Sequence, residues 1–201
     1  VTEASTRDRL LGAAERLFLE KGPDRVSVRA INAAAGLNPG AVHYHFGSRD
    51  GLIAALLERE LLPIWAGRLG AISERAEAEG EVSFTVEDLV AAIVEPFDEL
   101  SRTAKGRMLC HLVARTVLPT MRPPHPSPWF GPAPFEVMLG RARPDLPVRE
   151  VAERWRLAFT LLLEIYGRPL APDPEHAPAP PGTRTVIAFV TAGLAAPAPE
   201  A

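Results

Sequence analysis

The sequence predicts an all-α fold, and three observations carry that prediction. No segment alternates apolar and polar residues with the Val, Ile or Thr enrichment of strands. Apolar residues instead recur at three- and four-residue spacing, as in TRDRLLGAAERLFLEK at 6–21. Of 21 prolines only four precede residue 119, so the first half can hold long helices. The second half reads as helices parted by PTMRPPHPSPWFGPAP (119–134) and PLAPDPEHAPAPPG (169–182).

The elements follow in order. The first helix, 6–21, puts Leu10, Ala14, Leu17 and Phe18 on one stripe, and Gly22-Pro23 stops it. Ser27 is the expected N-cap of a second helix, VRAINAAA, with Ile31 and Ala34 or Ala35 inward and Gly36 as a left-handed stop. Asn38 is expected to cap a third, short helix with Pro39 at its first position, running to about Phe46. Ser48 caps a long fourth helix to about residue 78, and Pro63 is expected to kink it by removing the bond to Arg59. Amphipathic helices follow at Thr85–Ser101 (Leu89, Ile93, Phe97) and Ala104–Val117 (Met108, Cys110, Leu112). A shorter one spans 133–143, and two strongly apolar ones, 148–167 and 183–197, come last. The 169–182 stretch exceeds what a bundle connection needs and reads as mobile; the terminal APAPEA should fray.

The chain has 201 residues, 47% hydrophobic and 23% charged, enough for one or two small globular domains. No apolar run is long enough to span a bilayer, and VTEASTRDRL lacks a signal peptide's apolar core, so a cytoplasmic location with no membrane partner is expected. The lone Cys110 allows neither an internal disulfide nor a cysteine zinc site. A net charge of −3 does not advertise a nucleic-acid binder, but residues 25–49 hold Arg25, Arg29 and Arg49 and no acid. A local basic face can attract phosphates while the whole chain stays acidic.

Within that stretch AVHYHF (41–46) poses a question of geometry. At about 100° per residue, Val42 and Phe46 share a face and should anchor the helix, while Tyr44 points away from the core. Gly40 and Ala41 lie on the same outward side, flanked by His43 and His45. The histidines stand about 200° apart, so one metal cannot be held by both, and no metal site or cofactor is expected. A small acid-free helix with an outward tyrosine suits a DNA groove: Gly40 and Ala41 allow close approach, and Arg29 and Arg49 with the Ser48 cap can hold phosphates. The competing reading is an ordinary helical hairpin with a solvated aromatic.

Residues 6–57 resemble the DNA-binding domain of the tetracycline-repressor (TetR) family, through LLGAAERLFLEKG and then SVRAINAAAGLNPGAVHYHFGSRDGLIAAL. The resemblance implies a homodimeric transcriptional regulator, usually a repressor. Residues 1–50 would form its helix-turn-helix domain for double-stranded operator DNA, and 51–201 a helical domain for dimerisation and a small-molecule effector. It places the DNA contacts on Ser27, Arg29, Pro39, Gly40, Ala41, His43, Tyr44, His45 and Arg49. His43 stands where the family usually has tyrosine, and Asn32 where alanine is usual, which puts a polar group near the helix–helix interface. The last two helices would be the dimerisation pair; alternatively they simply finish the monomer core.

If the second domain senses a molecule, its aromatic and soft residues are the candidates to line the pocket: Trp65, Phe97, Met108, His111, Trp129, Trp155 and Phe159. They imply an apolar or amphipathic effector, although such stripes also build ordinary cores. An enzyme is not expected. Cys110 and His111 point about 100° apart on a helix, no catalytic motif is present, and the Glu95, Asp98 and Glu99 cluster reads as a solvated face. A helical protein–protein adaptor that kept the helix-turn-helix fold without DNA is the remaining rival.

Overall fold

A computed structural model of the chain describes residues 5–78, 84–119, 133–167 and 181–198. Among the described residues there is no strand, and the helices are α1 Thr6–Lys21, α2 Val28–Ala34, α3 Ala41–Phe46, α4 Arg49–Ala78, α5 Val86–Ser101, α6 Ala104–Val117, α7 Ala133–Ala142, α8 Val148–Tyr166 and α9 Thr183–Ala195. The fold is all-α, as the periodicity predicts. No described helix is long and apolar enough to cross a membrane. Most of the two proline-rich stretches, including Trp129, lies outside the described residues.

Caps set most of the boundaries. Ser5, Ser27 and Thr103 each accept a backbone N–H from the first turn of the helix that follows, and Thr85 and Asp88 form a reciprocal capping box on α5. Ser48 caps α4 through Gly51 N–H at 3.0 Å. Gly36 ends α2 at φ 65°, and the Ala35 carbonyl before it is taken by Arg9 of α1 at 2.8 Å.

The start of α3 departs from expectation. The helix begins at Ala41, two positions past Pro39, and its cap is not Asn38. Asn38 offers only its carbonyl, to Ala41 N–H at 3.0 Å. The side chain that caps α3 belongs to α2: Asn32 Oδ1 accepts Val42 N–H at 3.1 Å, and Asn32 Nδ2 donates to the Pro39 carbonyl at 2.5 Å. Asn32 is 1% exposed and each of its two polar side-chain atoms has a partner, which accounts for a polar residue at this interface.

α4 runs without a break from the end of α3 into the second half of the molecule, through the exposed Pro63. Its first turn meets α3 so closely that a Cβ on Gly51 would lie 2.1 Å from the Phe46 carbonyl oxygen. Gly106 plays the same part where α6 starts against α5, with a Cβ there falling 1.9 Å from Leu100 O.

A core runs through all these helices, with Phe18, Ile31, Leu52, Leu56, Leu89, Ile93, Met108 and Leu139 among its most buried side chains. α9 lies chiefly along α5 and less on α8. Its last carbonyls are held by two arginines: Arg143 donates to Leu194 O at 3.0 Å, and Arg154 to Leu194 O at 3.2 Å and Pro197 O at 2.7 Å. Arg154 is buried, and its charge is met by Glu150 at 2.7 Å and by the negative end of α9. Both last helices keep large apolar side chains outward: Leu157 on α8 and Phe189 on α9 are each 69% exposed.

Candidate nucleic-acid interface

The helix pair α2–α3 presents the outward face that the 100° rule predicts. Val42 is fully buried and Tyr44 is 86% exposed. Phe46, the second expected anchor, is only half-buried, and its open side is covered by Arg7 of α1, whose guanidinium sits 4.5 Å from the ring centroid. Arg7 also donates to the His45 carbonyl at 3.2 Å, near the C-terminal end of α3. Spacing along the chain gives no hint of this contact, because Arg7 lies 38 residues away.

The other expected contact residues differ in exposure. Ser27, Arg29, Pro39, Gly40 and His43 are exposed, whereas Ala41, His45 and Arg49 are half-buried. His45 packs edge-on against Tyr44, centroids 5.0 Å apart. His43 Nδ1 faces the Gly47 carbonyl at 3.2 Å. A ring nitrogen facing a carbonyl carries the proton, so Nε2 of the neutral ring is left as an acceptor. Ser27 uses a lone pair on Ala30 N–H at 3.2 Å and keeps its O–H to donate. Arg49 is tied inward, donating to Pro23 O at 2.6 Å with its guanidinium 5.8 Å from the Phe18 ring centroid. A guanidinium has five N–H donors, so this bond orients Arg49 without exhausting it.

This face joins the second half through charge. Arg59 of α4 bonds Glu15 of α1 at 2.7 Å and Glu60 at 2.7 Å, and Lys105 of α6 bonds the same two carboxylates at 2.7 and 2.6 Å. Burial alone would push the Glu60 carboxyl up, but hydrogen bonds from Lys105 and Arg59 outweigh it and hold it below its ordinary value. Burial would likewise lower Lys105, and the bonds to Glu15 and Glu60 raise it instead. Farther along α6, Arg115 pairs with Asp24 in the turn before α2. The acidic side of α5 is paired too, Arg68 of α4 bonding Glu95 at 2.6 Å and Glu99 at 2.9 Å.

The expected pocket residues separate into two groups. Trp65 of α4 meets Phe97 of α5 at 5.0 Å, and Phe97 stacks on Tyr166 of α8 at 5.4 Å. Trp155 and Phe159 instead stack with each other, and Trp155 with Phe135 of α7 at 4.8 Å. Met108 is fully buried, and His111 Nδ1 faces the Gly167 carbonyl at 3.2 Å. Burial pushes the neighbouring Cys110 thiol up to about 12, so it stays protonated at neutral pH.

Residues 10–56 match the family model for bacterial regulatory proteins of the tetR family. The chain is 32% identical over 99 residues to the HTH-type transcriptional regulator UidR of Escherichia coli (strain K12), covering 49% of this chain and 48% of UidR. It is 45% identical over 49 residues to the HTH-type transcriptional repressor Rv3405c of Mycobacterium tuberculosis, covering 24% of this chain and 26% of that protein. The chain thus spans about half the length of UidR and less of Rv3405c. Among solved structures it resembles SmeT, the repressor of the Stenotrophomonas maltophilia multidrug efflux pump SmeDEF. That likeness has a TM-score of 0.59 at 22% identity, over 96% of this chain and 89% of SmeT, and is one of fold.

Proposed function

We propose, from the match of residues 10–56 to the tetR family of bacterial regulatory proteins, that this chain is a sequence-specific DNA-binding transcriptional regulator. Its action is that of a repressor released from its operator by a small apolar or amphipathic effector. The observation that carries the DNA-binding part is Tyr44, 86% exposed on a helix whose other end is pinned by Asn32. A large exposed aromatic on a rigid, acid-free helix is a reading head rather than a packing element. We assign the operator contacts to Tyr44, His43, His45, Gly40, Ala41 and Pro39, with Ser27, Arg29 and Arg49 on phosphates. The working location is the cytoplasm, where that DNA is.

The outward Leu157 and Phe189 support a homodimer built on α8 and α9, since a monomer gains nothing by exposing them. A dimer would set two copies of α3 about one DNA turn apart, about 34–36 Å. An effector held by α4, α5, α6 and α8 changes that spacing only by favouring one position of α4 over another. The Glu15–Arg59–Glu60–Lys105 junction ties α1, α4 and α6 and supports α6 as the relay. A protein of like fold offers a parallel: SmeT has been solved as a complex with triclosan.

The test is selection of genomic DNA fragments on the purified protein, repeated after refolding from denaturant to strip any carried effector. A recovered pseudo-palindrome supports the regulator. No enriched sequence in either preparation rejects it and favours the adaptor.

A further inference from the structure

Tyr166 is 6% exposed, and its hydroxyl has no hydrogen-bond partner. Buried tyrosine hydroxyls ordinarily find one, so an orphan at this depth needs a reason. Its surroundings supply one. The Tyr166 ring lies nearly parallel to Phe97, 11° between planes, and Phe97 in turn meets Trp65. The neighbouring polar groups are committed or uncharged. His111 Nδ1 faces Gly167 O, the Trp65 indole N–H is spent on Ile93 O at 3.4 Å, and the Cys110 thiol is protonated. Burial first, and then the Asp98 carboxylate, push the Tyr166 phenol up to about 12, so near neutral pH it always has a proton to donate. The other described buried hydroxyl without a partner, Thr191, is on α9, which contributes no ring to this group.

We infer that Tyr166 is the anchor of the effector site, and that the effector is an uncharged planar aromatic molecule with a hydrogen-bond acceptor directed at Tyr166 Oη. This rests on the effector-released regulator proposed above. Trp65 packs on Phe97, which stacks on Tyr166, so a ligand that takes the place of Trp65 meets aromatic rings and is best matched by a planar ring system. The orphan O–H selects an oxygen or nitrogen lone pair, because a ligand without one leaves the donor unpaired. Burial at this depth disfavours an anion, and the nearby Asp98 carboxylate is already paired with Arg102 and offers no opposite charge to meet one. Trp65 is the ring that yields, being half-buried and held by one long hydrogen bond. It stands on α4, the helix that begins directly after α3, so an effector that displaces it acts on the element carrying the reading head.

The experiment uses three probes of similar outline: 2-acetylnaphthalene, 2-ethylnaphthalene and 2-naphthoate. Binding to the full chain is followed by tryptophan fluorescence, beside operator binding by the same preparation. The ketone is expected to bind at least tenfold more tightly than the hydrocarbon and the carboxylate. Tyr166→Phe should erase the preference for the ketone and leave the hydrocarbon's affinity and the unfolding temperature no lower. Equal binding of ketone and hydrocarbon, no binding of either, or an undiminished preference in Tyr166→Phe would overturn the inference. If the operator is bound but the probes are not told apart, this inference fails and the regulator stands. If the probes are told apart but no DNA is bound, the regulator reading fails and the site stands.

Discussion

The two halves of the molecule are built from the same material and turn their candidate functional groups in opposite directions. In α1–α3 the proposed DNA-binding face is turned outward, with Tyr44 86% exposed only two residues after the fully buried Val42. In α5–α8 the candidate site is turned inward, where Phe97, Met108 and Trp155 are as buried as the core around them. An outward site breaks the apolar period of its helix and announces itself. An inward site obeys that period and looks like packing.

Trp155→Ala is the largest test of this contrast. Its ring is stacked between Phe135 and Phe159, and truncation should cost about 3–5 kcal/mol of stability by denaturant unfolding. Operator affinity of the folded remainder should hold. A well-folded Trp155→Ala with a changed response to effector would move that residue from core to pocket. Next comes Asn32→Ala, which strips the cap from Val42 N–H and the donor from Pro39 O. An unsatisfied buried backbone group costs about 1–3 kcal/mol, and here part of the loss should appear in operator binding. If Asn32→Ala loses stability but keeps full operator affinity and specificity, the pinning does not serve the reading head. Tyr44→Ala should do the converse: about 1–3 kcal/mol of operator affinity lost with the unfolding temperature unchanged. Full-strength binding would remove Tyr44 from the interface.

The smallest effect lies at the junction between the halves. Glu60 is held below its ordinary 4.5, so its contribution is present above that pH and fades as pH falls through the folded value. Lys105 is held above 10.5, so its contribution is present below that pH and fades as pH rises through the folded value. Lys105→Met should therefore lower stability by about 0.2–1 kcal/mol at pH 6–9, less toward pH 3.5. Thermal unfolding that shows the same difference at pH 6 and pH 3.5 would remove these pairs as a coupling element.

What was legible followed from local rules. α1 and α6 lie where the periodicity puts them, and α5, α8 and α9 end within two residues of it, because caps, glycines and prolines act over a few positions. The outward direction of Tyr44 needed only helical geometry. What was not legible acts across distance. Asn32 replaced Asn38 as the cap of α3 by reaching from another helix. Arg49 bonds Pro23 O, 26 residues away, and Arg7 covers Phe46. The division of the aromatic residues into two stacks depends on how helices pack, which no single stripe encodes. The orphan hydroxyl of Tyr166 is a missing contact, and a sequence cannot show one.

The most direct measurement is the salt dependence of binding to the recovered operator and to random DNA of equal length. Residues 25–49 offer arginines and no acid, so a steep loss of affinity with salt is expected on both DNAs. The fall should be on the order of 10³-fold between 50 and 200 mM if about six phosphates are neutralised by the dimer, with the operator tighter throughout. A flat salt dependence, or equal affinity for operator and random DNA at every salt, would contradict it.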